Sequence, residues 1–222
     1  MTLKSSILSA AKADGIPASA DGLWHIKKIT LNKDITAPKD GREVHVPAGS
    51  YTQLWRWTND TVGKRLSGEP TEPGELVMTD SPDELNTHLN FMLRARGRVL
   101  ISGLGLGCVV RGCLANPAVS HVVCIERDAS VLKMVKPHMP SNRLTILQAD
   151  AISWVRNNLS RQRFDCAWHD LWSDPDKPEP HLQVNHSELF VRCHGKVGFQ
   201  GAWAFPKQEK RLWMRSVGGI IA

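Results

Sequence analysis

Three carboxylates and one histidine stand at the ends of short apolar runs, and a fourth such run opens into glycines. Val122-Val-Cys-Ile-Glu126 ends in Glu126, and Leu144-Thr-Ile-Leu-Gln148 is followed closely by Asp150 and Ala151. Phe164-Asp-Cys-Ala-Trp-His169-Asp170 ends in His169 and Asp170, and Arg98-Val-Leu-Ile-Ser102 runs into Gly103-Leu-Gly-Leu-Gly107. A carboxylate at a strand end accepts hydrogen bonds from ribose hydroxyls, and one at the next strand end can accept from an adenine amino group. Glycines let the backbone pass close to a ligand where a Cβ would collide. Ligands of open α/β sheets sit beyond the carboxyl ends of the strands. Gly103, Glu126, Asp150 and Asp170 are therefore expected to converge on one crevice that holds an adenosine-containing ligand. Asp170 would position an acceptor or take its proton, with His169 as the alternative base. Strand alternation puts these two side chains on opposite faces, so one of them can face the ligand.

The loop spacing narrows the ligand. A dinucleotide loop needs Gly-x-Gly-x-x-Gly, whereas Gly103, Gly105 and Gly107 are spaced Gly-x-Gly-x-Gly and position 108 is Cys. The loop also lacks the Lys and Ser/Thr of a P-loop, which argues against phosphate cradling in that manner.

The stretch from Val77 to Pro175 resembles class I S-adenosylmethionine-dependent methyltransferases, and within them the spermidine-synthase-like branch. Asp83-Glu84-Leu-Asn-Thr-His88 is similar to that branch's Asp-Glu-x-x-x-His at the start of the helix before the first strand. Asn116-Pro-Ala-Val-Ser-His-Val-Val-Cys-Ile-Glu126-Arg127-Asp128 is similar to its second strand, and Gln148-Ala-Asp150-Ala151 to its adenine-contacting segment. His169-Asp170-Leu-Trp-Ser-Asp174-Pro175 resembles its catalytic Asp-x-x-Asp-Pro with one residue inserted. The resemblance implies S-adenosylmethionine as cofactor and, for methyl transfer, S-adenosylhomocysteine as product. It implies Gly103, Leu104, Gly105 and Gly107 on the carboxypropyl and ribose side, Glu126 with Arg127 at the ribose, and Asp150 with Ala151 around the adenine. Asp170 would border the reacting centre.

Departures from the branch favour methyl transfer to an unidentified acceptor. The branch's loop is Gly-Gly-Gly-Asp-Gly-Gly, and here Leu106 stands where the acid would be. Its second carboxylate would fall at Ser173, and the acid comes one residue later at Asp174. The chain is net basic, at +6, with a single tyrosine, Tyr51. Aminopropyl transfer or cleavage of the cofactor is the alternative enzyme reading. A non-catalytic cofactor-binding or scaffold protein is the third.

These residues need a doubly wound, Rossmann-like α/β sheet to position them. The pattern predicts a shortened sheet of four to five strands with a small N-terminal antiparallel β subdomain. Residues 1–75 read as an arm and that subdomain, and 76–222 as the cofactor-binding domain with a truncated C-terminal part. Strand-like runs at Trp24–Leu31, Glu43–Val46 and Tyr51–Trp57 carry the subdomain, with Asp40-Gly41 as a hairpin turn between the first two. Gly68–Gly74 reads as a loop, and Ser81-Pro82 as a helix start with Ser81 as N-cap. Asp83, Glu84 and His88 are either helix-start charges or part of the site.

Composition sets the remaining expectations. No run approaches the ~20 apolar residues that span a bilayer, and five cysteines within predicted core elements point to reduced thiols and a cytoplasmic protein. His181, His186, Cys193 and His194 match no zinc spacing, so no metal is expected. Trp168 and Trp172 flank the expected site. Lys207–Arg211 with Arg215 is a solvated helix face in preference to a nucleic-acid patch. The shortened sheet would leave an edge or face that a homodimer partner could cover.

Overall fold

Alternating polar and apolar residues after the first helix build an antiparallel sheet that leans on the carboxyl ends of a second, parallel one. The computed structural model describes residues 1–39, 42–67, 74–171, 188–189, 191–193 and 195–202. Helix α1 (Leu3–Ala11) is capped by Thr2, whose hydroxyl accepts from Ser5 N, and it buries Ile7 and Ala11. Strands β1 (Ser19–Asp21), β2 (Trp24–Leu31), β3 (Ile35–Lys39), β4 (Arg42–Val46) and β5 (Gly49–Arg56) follow. Helix α2 (Asn59–Leu66) precedes β6 (Glu75–Thr79). The larger antiparallel sheet has the order β1-β2-β5-β6, and β3 pairs with β4 as a separate two-stranded ribbon.

That ribbon departs from expectation. Strand β3 pairs with β4, while β2 pairs with β5 along its whole length; Asp40 and Gly41, the expected turn, lie outside the described residues. Strand β3 carries Pro38, which lacks a ladder donor and disguises the run; a two-stranded ribbon has only edge strands, where proline is tolerated. The expected boundary at residue 75 falls at the start of β6, and β6 is the last strand of the antiparallel sheet.

Helix α3 (Pro82–Arg94) begins as the Ser81-Pro82 pair predicts, with Ser81 at the N-cap and Asp83 and Glu84 in the first turn. Strand β7 (Gly97–Ser102) leads through the glycine loop to α4 (Cys108–Ala115), and then come β8 (Val119–Glu126), α5 (Ala129–Val135) and β9 (Leu144–Gln148). Helix α6 (Ala151–Asn158), β10 (Cys166–His169) and β11 (Phe199–Ala202) complete the described elements. The second sheet is parallel throughout, in the order β11-β10-β7-β8-β9. Five strands and an N-terminal antiparallel subdomain agree with the predicted α/β class.

Both faces of the parallel sheet are covered, which is why its strands are continuously apolar. Val99, Ile101, Val122, Cys124, Cys166 and Trp168 pack on the face that shares a core with α1, α3, α4 and α5. Leu100, Val123, Ile125 and Ala167 face Ile152 and Val155 of α6, with Leu189 and Cys193. All five cysteines are buried and free.

Polar bonds knit the antiparallel sheet to the N-terminal arm and to the start of α3, and two more reach across to the parallel half. Asp80, fully buried, accepts from Ala13 N at 2.9 Å and from Thr52 N at 2.8 Å. Lys28 Nζ donates to Ala13 O and to Thr52 Oγ1 beside it. Across from them Trp24 Nε1 donates to Asp128 Oδ2 at 2.8 Å, and Lys133 pairs with Asp21.

Trp172, Ser173, Asp174, Pro175, His181, His186, His194 and the basic cluster 207–215 lie outside the described residues. Among the described residues no group of three or more His, Cys, Asp or Glu is arranged to hold a metal ion. No described helix is long and apolar enough to cross a membrane.

Candidate functional site

The crossover from β7 to α4 sets the geometry. Gly103, Gly105 and Gly107 have φ values of 94°, 49° and 75°, a region that L side chains rarely adopt. A Cβ on Gly103 would overlap the carbonyl oxygen of Asp170, so glycine there lets the loop and the end of β10 lie against each other.

Around this loop the strand ends converge. Glu126, at the end of β8, accepts from Leu104 N at 2.9 Å through Oε2 and from Asp128 N at 2.7 Å through Oε1. Burial raises its pKa, against the opposing effect of the N–H groups of Asp128, Leu104 and Arg127. Arg127 itself is exposed. Asp128 caps α5 through Ser130 N and Val131 N and also receives the Trp24 indole. Asp150 is exposed and caps α6, its Oδ1 accepting from Ser153 N at 2.9 Å, and Ala151 behind it is buried. Ala149 N bonds to Glu126 O, which holds the ends of β8 and β9 side by side.

Asp170 and His169 part as strand alternation requires. The half-buried Asp170 is anchored by its own N–H to Ser102 O at 2.8 Å. Desolvation and then the charge of Glu84 push its carboxyl up to about 7, with Glu126 adding to the rise and the Trp168 indole opposing it. His169 lies on the α6 side, fully buried, with Nδ1 3.1 Å from Ser102 Oγ. Burial drives its pKa down to about 4, despite a hydrogen bond with Gln200. The neutral imidazole therefore joins the ends of β7, β10 and β11 from beneath, while Asp170 faces the loop side.

Helix α3 completes the acidic wall. Glu84 is 6% exposed and His88 is fully buried one turn later, its ring edge-on to Trp168 with centroids 5.5 Å apart. The motif residues Glu84 and His88 thus sit against β10 and are not merely dipole partners at an exposed helix start. Two contributors have no sequence signal of their own. Met78 Sδ accepts from Leu106 N at 3.3 Å, and Asp80 fixes the β6-to-α3 junction. Asp80 precedes a Ser-Pro helix start, but nothing local announces partners at residues 13 and 52.

The geometry has sequence relatives. No family model matches the chain. Over 121 residues, half of its length, it is 28% identical to polyamine aminopropyltransferase 2 of Caldanaerobacter subterraneus subsp. tengcongensis, and it covers 40% of that protein. Over 136 residues, 57% of its length, it is 29% identical to the polyamine aminopropyltransferase of Pseudomonas syringae pv. tomato, covering 44% of it. The chain thus spans less than half the length of either relative. Among solved structures, spermidine synthase from Thermotoga maritima superposes with a TM-score of 0.43 at 20% identity, over 82% of this chain and 62% of that one. The strand order and the sequence likeness together give a class I S-adenosylmethionine-dependent methyltransferase-like fold, and the sequence likeness is to polyamine aminopropyltransferases.

Proposed function

We propose that this chain is a transferase that moves an alkyl group from an adenosyl sulfonium donor to an amine, and that the group is aminopropyl. The observation that carries this reading is that Glu126 holds Leu104 N of the glycine loop and Asp170 lies against Gly103, with buried Glu84 near enough to raise the Asp170 carboxyl. The loop's amides are mostly used within the protein. Such a wall attracts cationic arms and acceptors and repels carboxylates. An aminopropyl group is the donor's amino-acid arm without its carboxylate. Both curated relatives named above carry aminopropyl transfer in their names, which favours it over methyl transfer.

The residues fit such a donor. The Glu126 carboxylate receives the N–H groups of Leu104, Asp128 and Arg127, and of its four lone-pair sites it keeps capacity for a ribose hydroxyl. Asp150 and Ala151 stand at the end of the neighbouring strand, where an adenine would lie. When bound, the donor supplies an electrophilic carbon on a positively charged sulfur. An amine attacks it only as the free base. Asp170, ionising near neutral pH, would accept the ammonium proton and then release it to solvent as the C–N bond forms and the C–S bond breaks. Glu84 beside it would keep positive charge at the mouth of β10, and the Gly103–Asp170 contact would hold base and loop in register.

Methyl transfer is the second reading, favoured by Leu106 standing where the branch has an acid. The test is product analysis with S-adenosylmethionine and its decarboxylated form, each with a set of diamines. Methylthioadenosine together with an extended amine supports aminopropyl transfer. S-adenosylhomocysteine with a methylated amine supports the second reading. Methylthioadenosine without an alkylated amine means cleavage, and binding without product means a non-catalytic role.

A further inference from the structure

Backbone N–H groups of a glycine loop at a strand end commonly hold an anionic part of a ligand. In this chain most of them already have partners. Gly103 N donates to Ile125 O at 2.8 Å, Leu104 N to Glu126 Oε2 at 2.9 Å and Gly107 N to Leu104 O at 2.7 Å. Leu106 N donates to the thioether sulfur of Met78 at 3.3 Å. Met78 comes from β6, on the other sheet, and its side chain is nearly buried. Its sulfur lies 2.7 Å from the point where a Cβ on Gly105 would stand, so the side chain covers the loop at its middle. Leu106 is fully buried, and it offers no charge there either.

A thioether is a weak acceptor. It satisfies Leu106 N while laying hydrocarbon over it, which a carboxylate approaching the loop would have to displace. Arg111, the cation lying against the loop, donates through Nη1 to Leu106 O and through Nη2 to His138 O. We propose that Met78 sets donor specificity: by covering Leu106 N–H it excludes the carboxylate of an amino-acid arm and admits adenosyl thioethers and sulfonium compounds whose arm lacks one. The inference rests on the aminopropyl reading above, and it gives the loop an apolar means of discrimination where the resembling branch has an acid.

The test compares methylthioadenosine and S-adenosylhomocysteine, which share the nucleoside thioether and differ in the amino-acid arm. Calorimetric titration of the wild-type chain, Met78→Ala and Met78→Gln reads the ratio of the two affinities. Wild type is expected to prefer methylthioadenosine. Met78→Ala opens Leu106 N–H, and Met78→Gln offers an amide donor at the same place. Each is expected to shift the ratio toward S-adenosylhomocysteine by about tenfold or more, the effect of one hydrogen bond to a charged group. Should Met78→Ala fail to fold, Met78→Gln carries the test. An unchanged ratio in a folded variant that still binds methylthioadenosine overturns the role of Met78, as does a wild-type preference for S-adenosylhomocysteine. Failure of folded wild type to bind either ligand overturns the transferase reading itself, and the Met78 inference falls with it.

Discussion

Replacing Asp170 with Asn removes an ionisation that the folded protein resists, so its effect on stability must change with pH. Desolvation, then Glu84, raise the Asp170 carboxyl from its ordinary 3.8 to about 7. Below about pH 4 the group is largely protonated in both folded and unfolded chains and favours neither. Between about pH 4 and about pH 7 the unfolded chain releases the proton while the folded chain keeps it. Wild type therefore loses stability across that window, and the loss is complete above it. At about 1.4 kcal/mol per pKa unit the ceiling is about 4 kcal/mol. Asp170 is only half-buried, and solvent screening brings the expected effect to about 2 kcal/mol. For a chain of 222 residues that corresponds to about 4–8 °C in melting temperature. Thermal unfolding of both proteins, ligand-free at one ionic strength, is compared at about pH 4.5 and about pH 8. The melting temperature of Asp170→Asn relative to wild type is expected to be higher at the alkaline pH by most of that amount. The same difference at both pH values would refute the argument from burial and like charge, and a change of opposite sign would require a cation holding the carboxylate.

The same ionisation governs catalysis if Asp170 is the base: turnover should rise with pH through about 7, and Asp170→Asn should lower it by about 10²–10⁴-fold while leaving nucleoside binding intact. Glu126→Gln keeps the shape but removes the charge that Leu104 N and Asp128 N surround; calorimetry should show affinity for methylthioadenosine down about tenfold or more. Asp80→Ala leaves two N–H groups, of Ala13 and Thr52, without their buried acceptor, and denaturant unfolding should register a loss of about 2–6 kcal/mol. Full stability in that variant would mean that another acceptor takes over the junction.

What was legible in the sequence is what has a local signature. The glycines of the loop, the carboxylates after apolar runs and the Ser81-Pro82 helix start are punctuation within a few residues of the elements they end or begin. The structure keeps each of them at the predicted end of its element. Strand alternation likewise separates His169 from Asp170, with no knowledge of what lies on either face. Strand β3 escaped because Pro38 breaks its propensity, and its membership is decided by pairing with β4. Met78 and Asp80 escaped for a different reason. Their partners lie 28 to 67 residues away, and a Met or Asp beside a helix start looks the same with or without them. Glu84 and His88 were visible as a motif, but their side of α3 could be assigned only by packing against Trp168.

Those long-range bonds bear on how the site is built. Asp128 links two of its tiers, because its N–H holds Glu126 Oε1 while its carboxylate receives the Trp24 indole from β2. Met78 reaches the loop from β6, and Asp80, two residues on, bonds to Thr52 of β5 and to Ala13. The antiparallel sheet therefore touches the glycine loop through Met78 and reaches Glu126 through Trp24 and Asp128. A parallel sheet of this kind can place Glu126 and Asp170 by itself, since both lie at ends of its own strands. It cannot by itself cover Leu106 N–H or supply the indole that Asp128 Oδ2 receives, because Met78 and Trp24 come from the first 80 residues. On the proposed reading, arm selectivity and ribose geometry would depend on the join between the two sheets, whereas proton transfer at Asp170 would depend on the parallel sheet and α3. Substitutions at Trp24 or Met78 should consequently alter which donor binds, and substitutions at Glu84 or Asp170 how fast it reacts.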